Sequence, residues 1–581
     1  MVALALVVSG LAGLAVTPAS AASTITVGPD VRNGYDTNDG CSLEEAFVLI
    51  LVLQVGGSET NDCGSTSSLS WPVTVSLAPN YTYTISDVDE LPWSRTDTAF
   101  PELSGSSTDV TIQGNGATIE RASSATDDFR FFYVSNGARL ALSGLTLVNG
   151  DVRLELTSRG GAIYADDARL SIASSTFSDN FADEGGAVYT EFGTQLSIAN
   201  STFSNNYAGE GGAVYAGSGT QLSIANSTFS RNVANNGGWG GAIYTYGQLS
   251  IVDSTFADNW ADEGGAIYVS ASAPQVTISG STFTGNTALE GGAVYAASDF
   301  SVTNTTFSGN STTSPDSGSA IYLANNATAD LAFVTFADHT GSATLAVGYS
   351  EAGTFRLKNV VLADPDVDEC ENDPALTVQT AGVVLADDSS CSGATVVPTL
   401  RSTLGPLASN GGPTQTHALL PSSPAIGAVP SGACTDWDGN AVTSDQRGQP
   451  RPNPSGSPCD AGAYESDLGP PSGGIDLLVT GLTVRKQGRL TCATATVKNQ
   501  GSAPAPSTSL RLALSFTASG GTPVATSSVP ALGPGSTATL TRCLSLPNDT
   551  RQWLVATVDP SNTVAETDET NNTRAVRFRF R

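Results

Sequence analysis

The sequence predicts an all-β chain in which a parallel β-solenoid is followed by a β-sandwich. Three observations carry this. A GGA element returns at Gly160, Gly185, Gly211, Gly240, Gly264 and Gly291, with a degenerate GSAIY copy at Gly318, so the period is 24 to 29 residues. A period of that size marks a stack of coils, each burying its neighbour's apolar face. Within a coil, LSIANSTF alternates apolar and small polar residues (Leu196, Ile198, then Phe203; Leu222, Ile224, then Phe229), which is the two-residue period of a strand. Beyond Ile475 the text changes to strand-like runs at sandwich spacing, such as IDLLVTGLTV and CATATVKNQGSAPAPSTSLRLAL.

The chain opens with MVALALVVSGLAGLAVTPASA, an apolar run that ends in Ala19-Ser20-Ala21. That small-x-small ending makes residues 1–21 an expected secretory signal peptide, although the usual basic start is missing. No later apolar stretch is long enough to span a bilayer, so no transmembrane segment is expected in the mature chain. Eight cysteines fall into local couples, Cys41 with Cys63, Cys370 with Cys391, Cys434 with Cys459 and Cys492 with Cys543. An even count in an exported chain favours disulfides between such neighbours, and no CxxC spacing suggests zinc.

The formal charge is −30 and the isoelectric point about 4.2, and Lys358, Lys486 and Lys498 are the only lysines. Nucleic acid and anionic membranes need a basic patch, so both are excluded as expected partners. Calcium, cationic surfaces and neutral glycans remain.

Stacking coils about 4.8 Å apart places equivalent residues over one another. Phe177, Phe203, Phe229, Phe256, Phe283 and Phe307 then form an inner aromatic spine, each ring contributing about 2 kcal/mol by burial. Three residues after each comes Asn180, Asn206, Asn232, Asn259, Asn286 and Asn310, an amide ladder able to satisfy turn backbone coil after coil. Both columns are structural in this reading.

The alternation of GGAIY or GGAVY with STFxxN over about Gly160 to Ala337 resembles the repeats of the polymorphic outer-membrane protein class. That resemblance implies a right-handed parallel β-helix of the pectate-lyase-like superfamily. Upstream, CSLEEAF at Cys41 to Phe47 resembles the CSLREA motif of exported bacterial β-helix proteins, with Glu44 where the motif has Arg. Downstream, TLGPLASNGGPTQTHALLPSSPAIGA, TSDQRGQPRP and CDAGAYE resemble the choice-of-anchor Q domain, which implies a closing cap. VKNQG and DPSNTVAETDETNNT resemble the CARDB (cell-adhesion-related) domain, which implies an immunoglobulin-like sandwich. The expected domains are therefore residues 22–109 as N-terminal cap, 110–345 as β-helix repeats, 346–466 as last coils and cap, 467–474 as the GPPSGG linker, and 475–581 as the sandwich.

Candidate site residues are those the stack does not explain. Glu184, Glu210, Glu263 and Glu290 each precede a GG, with Trp239 at the equivalent place in one coil. Like charges one rung apart imply open solvent or shared cations, so these four are the candidate calcium site. Tyr164, Tyr189, Tyr215, Tyr244, Tyr268, Tyr295 and Tyr322 end each GGAIY-type element. If Ile and Val point inward, the tyrosines form an outer aromatic stripe, and Tyr189, Tyr215, Tyr244 and Tyr268 are the candidate glycan-binding residues. Asp364, Asp366, Asp368 and Glu369 form an acidic run that reads as a solvated loop, and His339 and His417 are the only histidines, His417 reading as a capping-turn residue. No nucleophile elbow, HExxH or phosphate-binding glycine loop occurs. The expected function is adhesion or ligand presentation at the cell surface or after secretion, toward an extracellular glycan or surface protein, without catalysis. The alternatives are a β-helix polysaccharide lyase or glycoside hydrolase with an unrepeated acidic cleft, and a purely structural scaffold.

Overall fold

The computed structural model describes residues 23–29, 40–86, 97–153, 158–314, 317–348, 352–467 and 475–578, apart from 489, 502, 503, 518, 520, 534, 546–551, 562, 563 and 565–570. The expected signal peptide and most of the expected linker lie outside the described residues. The chain divides into two compact units, one built on residues 1–418 with 429–465, the other on 466–581 with 419–428.

The first unit is a parallel β-solenoid. A typical repeat contributes a five-residue strand and a three-residue strand to one sheet, for example Gln195–Ala199 and Thr202–Ser204. Between them Asn200 takes a left-handed φ of 52°, a conformation that Asn tolerates better than most side chains. In this sheet the repeat coils pair in parallel and in register, so Leu196 lies over Leu222 and Phe203 over Phe229, and a register shift comes only later, between Lys358 and Val360. A second, ten-stranded sheet runs from Leu103–Ser104 to Leu345–Val347 and carries the GGAIY segments. Stacked rungs also extend upstream of the repeats: Ser23–Thr26 pairs with Val73–Ser76, and Val73–Ser76 with Asp109–Gln113.

The GG pair has a steric origin. Gly185 turns the chain at φ 64°, and a Cβ on Gly186 would sit 2.2 Å from the Gly212 carbonyl oxygen of the next coil. Any side chain there would push the rungs apart.

Inside the solenoid the phenylalanines stack at 4.7 to 5.1 Å with planes within 12°, from Phe177 to Phe336. The asparagines run beside them as a satisfied ladder. Asn206 Nδ2 donates to the Phe177 carbonyl at 3.0 Å and to Asn232 Oδ1 at 2.9 Å, and Asn232 Oδ1 also accepts from the Asn206 backbone N–H at 3.1 Å. Every coil from Asn180 to Asn310 repeats the amide-to-amide link. His339 takes over the next ladder position. Its Nε2 accepts from Asn310 Nδ2 at 3.4 Å, and its Nδ1 donates to Asp364 Oδ1 at 3.0 Å, so a fully buried imidazole and carboxylate close the ladder. Burial pushes Asp364 up, but His339 and the Thr344 hydroxyl outweigh it and hold the carboxylate below its ordinary range.

Among the described residues one α-helix departs from the all-β pattern. Leu43–Gln54 starts from a capping box in which Ser42 and Glu45 bond each other's backbone N–H, inside the CSLEEAF motif. It sends Phe47 against Phe100 and Phe132 and so joins the solenoid core. After the last coil the chain returns along the flank of the repeats instead of closing over their end: Gln446 of TSDQRGQPRP donates to the Ser281 carbonyl at 3.0 Å and accepts from the Thr306 hydroxyl at 2.6 Å, and Trp437 donates to the Arg356 carbonyl at 2.8 Å. His417 is buried there: Nδ1 donates to the Gly405 carbonyl at 2.8 Å and Nε2 accepts from the Ser308 hydroxyl at 3.0 Å. Burial lowers its pKa and keeps the ring neutral.

The second unit is an antiparallel sandwich. Leu477–Gln487, Leu490–Asn499 and Thr537–Leu544 form one sheet; Thr522–Val529, Thr508–Ser515, Gln552–Val558 and Thr573–Phe578 form the other. Alternate residues such as Val479, Val497, Leu512 and Leu554 fill the space between. All four cysteine couples are disulfides, and Cys492–Cys543 joins directly opposed residues of the first sheet.

Candidate functional site

The ten-stranded sheet turns Ile163, Val188, Val214, Ile243 and Ile267 into the core and the tyrosines beside them outward, as two-residue alternation requires. In-register pairing then lays the tyrosines over one another. From Tyr133 through Tyr164, Tyr189, Tyr215, Tyr244, Tyr268 and Tyr295 to Tyr322 the ring centroids are 4.8 to 5.2 Å apart. Tyr164, Tyr189, Tyr215 and Tyr244 form an apolar cluster separate from the solenoid core, with Tyr133, Trp239, Tyr246 and Tyr268 packed against it.

Tyr189 is only 3% and Tyr244 only 2% exposed, because each ring face is covered by the next ring. The expectation of sugar rings stacking on open faces is therefore narrowed. Along the column's interior, the edges and hydroxyls are what the tyrosines offer to a partner. Tyr164 donates its hydroxyl to the Glu191 carboxylate, and Tyr244 is hydrogen-bonded to Tyr246. Burial raises the pKa of both phenols.

The carboxylates flank this column. Glu184 pairs across one rung with Glu210, and Glu263 with Glu290, while Trp239 stands between the two couples and pairs with Glu263. Arg159 Nε lies 3.0 Å from Glu184 Oε2 and its Nη1 3.6 Å from Glu191 Oε2, with its guanidinium 4.8 Å from the centre of the Tyr189 ring. Burial, reinforced by Glu184, raises Glu210. Burial and then Glu290 push Glu263 up to about 6, partly offset by a hydrogen bond from the Trp239 indole. These residues do not fit the expected calcium ladder, since Arg159 already compensates Glu184 and Trp239 interrupts the column. Among the described residues no group of three or more His, Cys, Asp and Glu side chains is arranged to hold a metal ion.

A second feature breaks the repeat. Asp366 and Asp368 lie on the expected exposed turn, whereas Asp364 and Glu369 are buried, and Asp364, Asp366, Asp368, Asp373, Asp387 and Asp388 line a cleft of about 850 Å³. The Cys370–Cys391 disulfide holds its two sides together. Behind the lining, Glu369 is buried and accepts the Asp387 N–H at 2.7 Å. Burial, then its hydrogen bond to Asp388, pushes it up to about 9. Asp388 is also pushed up by burial, but bonds from Glu369 and from Ser390, at 2.6 Å and 2.7 Å, bring it below its ordinary range. Glu369 and Asp388 thus share a proton at neutral pH.

Sequence reading did not gather Glu371, Asp373, Asp387 and Asp388 with the earlier aspartates, nor Arg159, Glu191 and Tyr246 with the tyrosines. The closure of Cys370 on Cys391 was the available signal for the first group. The TYG of Thr245 to Gly247, immediately after a GGAIY, was the signal for Tyr246.

Residues 475–576 match the CARDB family, residues 186–360 the right-handed beta helix region, and residues 174–191 the Chlamydia polymorphic membrane protein repeat. Among solved structures, the CARDB domain of a Pyrococcus furiosus protein, in complex with di-metal ions, is 29% identical, covering 18% of this chain and 92% of that one, with a TM-score of 0.16. A domain of a Methanosarcina acetivorans protein is 26% identical over 19% of this chain and 93% of that one, with a TM-score of 0.17. No curated protein sequence matches the chain. No helix among the described residues is long and apolar enough to cross a membrane. The CARDB and polymorphic-membrane-protein families fit a surface protein, and the chain joins a right-handed parallel β-helix, matched to the latter repeat at residues 174–191, to a CARDB domain over residues 475–576.

Proposed function

We propose that the protein is a secreted or cell-surface adhesion protein that presents the outer flank of its solenoid to an extracellular glycan. One observation carries this reading: an unbroken aromatic column lies outside the core, edged by carboxylates, Arg159 and Trp239. The coils already have an inner spine and an amide ladder, so the outer column is additional to what closes the solenoid. Tyrosine hydroxyls, an indole edge and carboxylates are the donors and acceptors that hold sugar hydroxyls, and the surrounding negative charge disfavours uronates. The test is a glycan array probed with the intact protein. Binding to neutral glycans that is lost in Tyr268→Phe, which keeps the ring and removes the hydroxyl, supports the reading; an array without signal overturns it.

A second reading is polysaccharide cleavage in the acidic cleft, favoured by carboxyl groups whose proton affinities are pulled apart, Glu369 upward and Asp388 downward. These two are hydrogen-bonded to each other, closer than the separations at which paired carboxyls flank a glycosidic bond. Incubation with uronate and neutral polysaccharides decides it. New reducing or unsaturated ends, abolished by Asp388→Asn, would replace the adhesion reading.

A further inference from the structure

Trp239 changes the chemistry of the outer flank. Its half-buried ring stacks on Tyr244 at 6.0 Å and on Tyr268 at 5.6 Å, and its indole N–H is hydrogen-bonded to the Glu263 carboxylate. From there the column continues without a gap: Tyr215 to Tyr244 is 5.0 Å, Tyr244 to Tyr268 4.9 Å and Tyr268 to Tyr295 4.8 Å. Indole and phenol give up one electron far more readily than a benzene ring, and each forms a neutral radical only when its N–H or O–H proton has an acceptor. Here Trp239 has Glu263, and Tyr244 has Tyr246, which is half-buried and reaches solvent. The equally close phenylalanine spine has no dissociable proton.

We infer that Trp239 and Tyr244, with Glu263 and Tyr246 as their proton acceptors, form a one-electron oxidation relay on the outer flank of the solenoid. An outer-sphere one-electron oxidant takes an electron from Trp239 and is itself reduced by one electron, while the indole proton passes to Glu263. Tyr244 then returns an electron to Trp239, which recovers its proton from Glu263. The Tyr244 O–H proton moves to the Tyr246 hydroxyl, and the proton of Tyr246 goes to water. The net change is one electron to the oxidant, one proton to solvent and one phenoxyl radical at Tyr244.

The experiment uses the full chain and tris(bipyridine)ruthenium(III) generated by flash and quench at pH 7.5, where Glu263, at about 6, is ionised. Transient absorption and electron paramagnetic resonance follow the radicals, and mass spectrometry maps the oxidised residues. The expected result is an indolyl signal that gives way to phenoxyl, with products at Tyr244 although that residue is almost fully buried. Trp239→Phe keeps an aromatic ring in the stack and lowers the Tyr244 product at least five-fold. Glu263→Gln, which removes the acceptor with little change of shape, leaves the indole as its radical cation. Tyr244 products unchanged in Trp239→Phe, or oxidation confined to exposed residues in the native chain, would overturn the relay; circular dichroism confirms that both variants fold.

Discussion

Two aromatic columns run along the same coils, one of phenylalanine inside the solenoid and one of tyrosine outside it. Their spacings are nearly equal, 4.7 to 5.1 Å against 4.8 to 5.2 Å. Both are set by the distance between parallel rungs, so any aromatic residue that recurs once per coil stacks on its copies. Stacking is therefore no sign of function. The difference lies in the flanks. Beside Phe203 and Phe229 stand neutral amides whose donors and acceptors are matched. Beside Tyr215 and Tyr244 stand carboxylates displaced from their ordinary pKa, with Trp239 between them. The inner column leaves nothing for a partner to meet, and the outer one leaves edges, hydroxyls and charge.

The sharpest way to break the comparison is to remove one ring from each column. Phe229→Ala empties a fully buried site and is expected to cost about 3–5 kcal/mol in denaturant unfolding. Tyr215→Ala, at a position that water can reach, is expected to cost about 2 kcal/mol. Equal losses would mean that the outer column is core. Asn232→Ala removes the acceptor for Asn206 and the donor to the Phe203 carbonyl, leaving buried groups unmatched at a cost of about 1–3 kcal/mol.

A pH scan sharpens the comparison with a smaller effect. Glu263 has a folded-state pKa of about 6, above its ordinary 4.5, so between these values the native state binds more protons than the unfolded chain. Stability is therefore greatest below 4.5 for this group and declines as pH rises through 6, and Glu263→Gln should flatten that part of the melting curve against pH. Glu369, at about 9, extends the same trend to higher pH, and Glu369→Gln separates the two contributions. The smallest effect is Tyr268→Phe, which should shift stability by no more than about 0.5 kcal/mol.

The contrast between the columns was readable from sequence as far as the repeat extends. Strict recurrence of Phe203 and Asn206 with strand alternation assigns them to a stack without any knowledge of the fold. The same alternation puts Tyr189 opposite Val188. How little of Tyr189 remains exposed is a different matter, because its faces are covered by Tyr164 and Tyr215 from other coils. Where the repeat lapses, so does the reading. Asp387 and Asp388 meet Asp366 and Asp368 only because the last coils close on themselves through Cys370–Cys391. The helix Leu43–Gln54 was signalled by Ser42 and Glu45 at capping-box spacing, yet its run of Phe47, Val48, Leu49 and Ile50 has no amphipathic period and joins a core on more than one side. Trp239 was visible as the odd member of the glutamate column. Its contacts with Tyr244 and Tyr268 depend on the folded Val233–Trp239 strand of the longest repeat.

The most direct measurement is the binding of neutral glycans to three proteins side by side: the native chain, Tyr268→Phe and Phe229→Leu. If the outer column is the partner face and the inner one only holds the coils, Tyr268→Phe loses binding at unchanged stability, while Phe229→Leu keeps binding at reduced stability. Binding that follows stability in both variants, or that is untouched by the loss of the Tyr268 hydroxyl, would contradict it.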